Sequence, residues 1–182
     1  MIIFDANVLI TFVQAEETDD IYERLSGFVQ DLIASRTVIG VPAPAWAEFL
    51  CGTDVATTGV INTLKKRSAI RILAFDEVSA VETAILSRGA LAVGPKRGAS
   101  KAPWQQVKVD RQVLAIARQH NVKTIVTDDD DMIAEALRVG IEAIRPVEIP
   151  LKSKQNLLDF DAPDDKFSSE DGLNIQRPRD DE

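Results

Sequence analysis

Hydrophobic positions along the chain switch between two periods. Short apolar runs stand at Ile2-Ile3-Phe4, Val38-Ile39-Gly40-Val41 (closed by Pro42), Ile70–Ala74, Lys123–Thr127 and Ile141–Ile144, with the length and β-branched content of strands. Between them the spacing turns helical. Asn7–Val13 reads as a brief apolar helix, and Asp19–Ala34 places Ile21, Leu25, Phe28, Leu32 and Ile33 at helical intervals. Pro44, tolerated in a first turn, opens a helix through Trp46, Phe49 and Leu50. Another ends over Asn62–Arg67 with basic residues in its last turn, and Val78–Ser87 follows Asp76. Gly94, Pro95, Gly98 and Pro103 make Leu91–Pro103 a loop. Gln105–Gln119 returns to helix with Val109, Val113, Leu114, Ile116 and Ala117 on one side, and Met132–Val139 is a helix stopped by Gly140. Strands alternating with helices require crossover connections. The expected fold is therefore α/β, a three-layer sandwich around a mainly parallel sheet.

Beyond Pro150 this periodicity gives out and Asp, Ser and Lys dominate. The expected organisation is one domain over residues 1–150 and an acidic, weakly ordered tail over 151–182, whose apolar cluster is Leu157, Leu158 and Phe160. With 45% hydrophobic and 27% charged residues, the chain is expected to be a soluble globular protein. No apolar run approaches the roughly 20 residues of a membrane span, and MIIFDANVLI lacks the basic start of a signal peptide. The single cysteine, Cys51, excludes an internal disulfide and fits a reducing cytoplasm, the expected location.

A net charge of −8 argues at first against a nucleic-acid partner. Its distribution weakens that objection. The tail carries nine acids and five bases, leaving −4 of the −8 to residues 1–150, where four aspartates, Asp128–Asp131, stand in a row. Acids packed that closely call for a counter-ion.

In parallel α/β sheets, ligands gather beyond the carboxyl ends of the strands. Asp5 closes the first apolar run and Asp128–Asp131 closes the fourth, so both groups are expected on one sheet edge. Helix capping alone would account for Asp5, and for two or three acids of the run. Four in succession add repulsion that capping does not need. Glu48 lies in an otherwise apolar stretch, Ala45-Trp46-Ala47-Glu48-Phe49-Leu50, where a charge is costly unless paired or bound to metal; an exposed helix face is the alternative. Asp110 follows Lys108-Val109 on its helix, where a surface charge is the alternative. Carboxylates without a histidine or cysteine cluster are hard oxygen donors, suited to Mg²⁺ or Mn²⁺. His120, the one histidine, is expected at a helix end and not in catalysis.

FDANVLI, the apolar strand leading to PAWAEFL, VKVDRQVLAIARQHNV and TIVTDDDDM occur in that order over residues 1–146. Together they resemble the PIN-domain family of ribonucleases, which includes toxin components of bacterial toxin–antitoxin pairs. The resemblance implies a metal-dependent endoribonuclease whose acids fall on Asp5, Glu48 and Asp110. A fourth, two residues after a threonine, falls on Asp129, with Asp128 and Asp131 as alternatives. Asn7 matches a polar position two after the first acid. Ala6 departs from the Ser or Thr common after that acid. The implied mechanism is hydrolysis assisted by one or two ions, with Asp5, Asp110 and Asp129 as principal ligands and Glu48 as ligand or orienter of the water.

Lys96, Arg97, Lys101 and Lys108 with Asn7 are the candidates for substrate contact and Trp104 for base stacking; a solvated surface loop, with Trp104 as a core anchor for the next helix, is the alternative. An antitoxin partner and a homodimer follow by analogy with the family, beside a housekeeping RNA-processing role. Three other readings compete. A haloacid dehalogenase-type phosphatase needs an aspartate where Asn7 stands, and a receiver domain needs a lysine that no later strand end supplies. A PIN-like binding module without turnover draws support from Ala6 and the acidic surface.

Overall fold

The computed structural model describes residues 1–52, 69–95, 100 and 102–151. The helix end expected at Asn62–Arg67, the tail from 152 onward, and Lys96, Arg97 and Lys101 lie outside the described residues.

Five strands form the sheet: β1 (Ile2–Phe4), β2 (Ile39–Pro42), β3 (Ile70–Leu73), β4 (Thr124–Val126) and β5 (Glu142–Ile144). Their order is β3-β2-β1-β4-β5 and every pairing is parallel, with Ile3 opposite Gly40 on one side and Ile125 on the other. Parallel strands are covered on both faces, which is why these read as unbroken apolar runs. Ile3, Phe4, Ile39, Val41, Ile125 and Val126 are all buried. Six helices lie among the described residues: α1 (Ala6–Gln14), α2 (Asp20–Ala34), α3 (Ala43–Gly52), α4 (Glu77–Val93), α5 (Trp104–Gln119) and α6 (Asp130–Arg138). None is long and apolar enough to cross a membrane.

The strand order places the site. From β1 the chain proceeds to β2 and β3 on one side of the sheet, then returns to lay β4 and β5 on the other. Neighbouring β1 and β4 thus send their chains in opposite directions, and a crevice opens beyond their carboxyl ends. Asp5 follows β1 and Thr127 follows β4 at that point.

Two elements differ from the sequence expectation. Helix α4 runs six residues past Ser87, through Gly89 to Val93, before its cap at Gly94. Leu86 and Ala90, four apart, both bury on the face that packs against α5, so burial carries the helix across a glycine that costs about 1 kcal/mol. Helix α5 buries every residue from Val113 to Ala117, more than the single side its spacing suggested, because it lies inside the fold. After β5 a short 3₁₀ turn, Pro146–Glu148, leads to buried Ile149, whose carbonyl accepts a hydrogen bond from Arg24 of α2. Gly140, between α6 and β5, has φ +76°, a left-handed conformation that glycine takes without steric penalty.

Candidate active site

Asp5 is both things its position allowed. It caps α1, its Oδ1 accepting the Ala6 backbone N–H at 2.8 Å. Its Oδ2 accepts the Thr127 hydroxyl at 2.8 Å and the Asn7 amide at 3.1 Å. Thr127, wholly buried, is the junction of the two strand ends. Its oxygen also accepts hydrogen bonds from the Asn7 amide (3.2 Å) and from the Asp129 backbone (3.2 Å). Asn7 closes the ring by accepting the Asp128 backbone N–H at 3.3 Å. Asn7, expected to touch substrate, lines the cavity and with its side chain holds Asp5 and the loop after β4. The sequence marked Thr127 only as the landmark two residues before Asp129, with no role of its own. Thr127→Val keeps its shape and removes the hydroxyl. The expected result is a loss of about 1–2 kcal/mol in denaturant unfolding.

Asp129 mirrors Asp5. It caps α6, with Oδ1 accepting the Met132 N–H at 2.8 Å, while Oδ2 accepts the Gln106 amide at 3.1 Å. The other acids of the run face elsewhere. Arg145, just after β5, bonds the carboxylates of Asp128 (3.1 Å) and Asp130, and these hold its guanidinium charged. Both acids are largely exposed, at 61% and 87%. Asp131 accepts the Ser100 hydroxyl at 2.8 Å. Four neighbouring aspartates thus have three kinds of partner, and only Asp129 of the four lines the crevice.

The crevice is a cavity of about 340 Å³. Its polar wall is Asp5, Asn7, Glu48, Gln106, Asp110 and Asp129; its apolar floor is Ala6, Ala45, Val109, Val113 and Met132. Glu48 comes from α3, one turn beyond Ala45, and is exposed at the open side, so the apolar run around it did not mean burial. Asp110 comes from the middle of α5, one turn beyond Gln106, and is only 9% exposed. That i, i+4 spacing was the sequence signal by which Gln106 could have been found. Lys108 is half-buried on α5 and is not part of the lining. Trp104 lies at the start of the same helix, with the Arg111 guanidinium 5.5 Å from its ring centroid. His120 is an exposed C-cap.

The electrostatics of this wall are unfavourable without a cation. Burial pushes the Asp5 carboxyl above the usual range, with repulsion from Glu48 and Asp129 adding to it against the hydrogen bonds from Thr127 and Ala6. Asp110 is pushed up to about 7, first by burial and then by Asp129, Asp5, Asp131 and Glu48. It accepts no hydrogen bond from the described residues. A buried carboxylate with acids around it and no donor is poised for a positive ion. No three His, Cys, Asp or Glu side chains among the described residues stand close enough to make a ready-formed ligand cage. The acids surround a space rather than converge on a point. That suits an ion which keeps part of its water shell and takes one or two carboxylates, as Mg²⁺ ordinarily does.

No family model matches the sequence, and no curated relative does. Solved structures do match. A chain of the DNA-bound VapBC complex from Salmonella typhimurium aligns with TM-score 0.53 at 16% identity, over 80% of this chain and 97% of that one. A chain of VapBC2 from Rickettsia felis, bound to a fragment of its promoter DNA, aligns with TM-score 0.54 at 18% identity, over 80% and 98%. The chain shares its fold with these two chains. Identities this low carry the architecture, and the chemistry has to come from the side chains. In this fold the four acids expected from the motifs, Asp5, Glu48, Asp110 and Asp129, line one cavity. Asp128 and Asp131, the alternatives, do not line it.

Proposed function

We propose that this chain is a Mg²⁺- or Mn²⁺-dependent endoribonuclease that hydrolyses phosphodiester bonds of RNA. The observation that carries the reading is Asp110: a buried carboxylate that accepts no hydrogen bond from the described residues, in a cavity walled by three more acids. One or two of Asp5, Asp110 and Asp129 would bind the ion directly and the rest through its water shell, and Glu48, which is exposed, would orient the attacking water. Bound there, the ion supplies a more acidic water and stabilises charge on the leaving oxygen. The chain's own part is geometric. Thr127 and Asn7 fix the Asp5 carboxylate, Met132 and Gln106 fix Asp129, and the apolar floor keeps bulk water from the buried side. A toxin role with an antitoxin-like protein partner is the biological setting this reading favours, supported by the likeness to chains of two VapBC complexes.

The run of aspartates offers a clean test. Asp129→Asn is expected to remove Mn²⁺-dependent cleavage of a labelled RNA, while Asp128→Asn, whose carboxylate faces Arg145, keeps activity within a few-fold of wild type. Equal loss from both would sink the assignment. A wild-type chain that cleaves equally well in EDTA would sink metal dependence.

A further inference from the structure

We propose that the ion pair between buried Arg111 and partly exposed Glu135 is a positioning device that fixes the spacing of Asp110 from Asp129. The proposal rests on the metal-site reading above.

Arg111 directly follows Asp110 on α5 and is 1% exposed, the largest of the fully buried side chains. Its Nε donates to Glu135 Oε1 at 2.9 Å. Glu135 belongs to α6, the helix capped by Asp129. The same carboxylate takes a two-pronged contact from Arg138, Nε to Oε2 at 2.8 Å and Nη2 to Oε1 at 2.9 Å. Burial opposes its ionisation, but hydrogen bonds from Arg138 and Arg111 outweigh that and hold it below the usual carboxylate range. Glu135 is thus an ionised anchor between two cations, one of them next door to a site acid. Trp104 limits movement on the far side, with its ring 5.5 Å from the Arg111 guanidinium.

Stability alone does not explain such a pair. Well-packed apolar residues generally hold two helices together as firmly as a buried ion pair. An ion pair does add direction: a planar guanidinium meets a carboxylate in few orientations. This fold also has a reason to need direction. Asp110 on α5 and Asp129, the N-cap of α6, line one cavity from two different elements, and the ion pair joins those two helices one residue from Asp110. Two acids that face one space must keep their spacing to share an ion. Arg111 and Glu135 are absent from the cavity lining and act only through the acids they place.

The test compares wild type with Arg111→Met/Glu135→Met and with Arg111→Lys, by Mn²⁺ titration in calorimetry and by thermal unfolding of the apo chain. The double variant is expected to keep its Tm and to bind Mn²⁺ about 10–100-fold more weakly. Arg111→Lys keeps a donor for Glu135 without the planar fork and is expected to bind with intermediate affinity. It decides the matter alone if the double variant does not fold: intermediate affinity supports the proposal and wild-type affinity overturns it. A folded double variant that binds Mn²⁺ like wild type also overturns it, leaving the metal site standing. A wild-type chain that binds no Mn²⁺ overturns the site reading and this inference together.

Discussion

Asparagine at position 5 is expected to leave a folded chain that no longer cleaves RNA. The fold survives because the amide oxygen can still accept the Ala6 N–H and cap α1. The chemistry does not survive, for two reasons. The negative charge that would face an ion is gone. The new amide N–H₂ also meets the Asn7 amide and the Thr127 hydroxyl, which both donate to Asp5 Oδ2 in the wild type. The expected loss is on the order of a thousandfold, about 4 kcal/mol of transition-state stabilisation. Initial rates on a labelled RNA at saturating Mn²⁺, beside a melting curve, measure it. A rate within tenfold of wild type would remove Asp5 from the reaction.

Asp110→Asn should inactivate the chain and at the same time stabilise it without metal. Asparagine resembles the protonated carboxyl that the cavity favours. Because the folded-state pKa is raised to about 7 from 3.8, the folded chain holds a proton that the unfolded chain has released between those values. Wild-type stability from this group is therefore full below about pH 4 and is lost as pH rises through about 7. The difference in Tm between variant and wild type should be near zero at pH 4 and largest above pH 7. Allowing for solvent screening at a group open to a cavity, it should reach about 1–2 kcal/mol, or roughly 3–6 °C. Saturating Mn²⁺ should reverse the order, since binding raises the stability of the wild type alone, by about 2.7 kcal/mol at a hundred times the dissociation constant. A pH-independent difference would mean that charge crowding is not what shifts Asp110.

The sheet and most helices were legible because burial on both faces leaves continuous apolar runs, as at Ile2–Phe4, and because α6 ends on Gly140. The four acids of the cavity were legible through their order along the chain. Less visible was how side chains are shared out once the chain folds. Asn7 looked available to substrate and is used inside the site; Thr127 looked like a strand end and is its centre. Arg111, which no apolar period places inside, is buried and bonds to Glu135, 24 residues away. The division of Asp128, Asp129, Asp130 and Asp131 among Arg145, Gln106 and Ser100 is equally a matter of distant partners. Such pairings leave no local period or composition to read.

The order of the strands also sets a timetable for synthesis. β1 is made first, yet it stands in the middle of the sheet, and Thr127, which orients Asp5, is 122 residues further on. At about 5–20 residues per second, the interval is roughly 6–24 s. Throughout that time Asp5 exists without Thr127 or Asp129, and for most of it without Asp110, so a nascent chain cut short before β4 has no complete site. The acids of the cavity can come together only after nearly the whole domain has been translated.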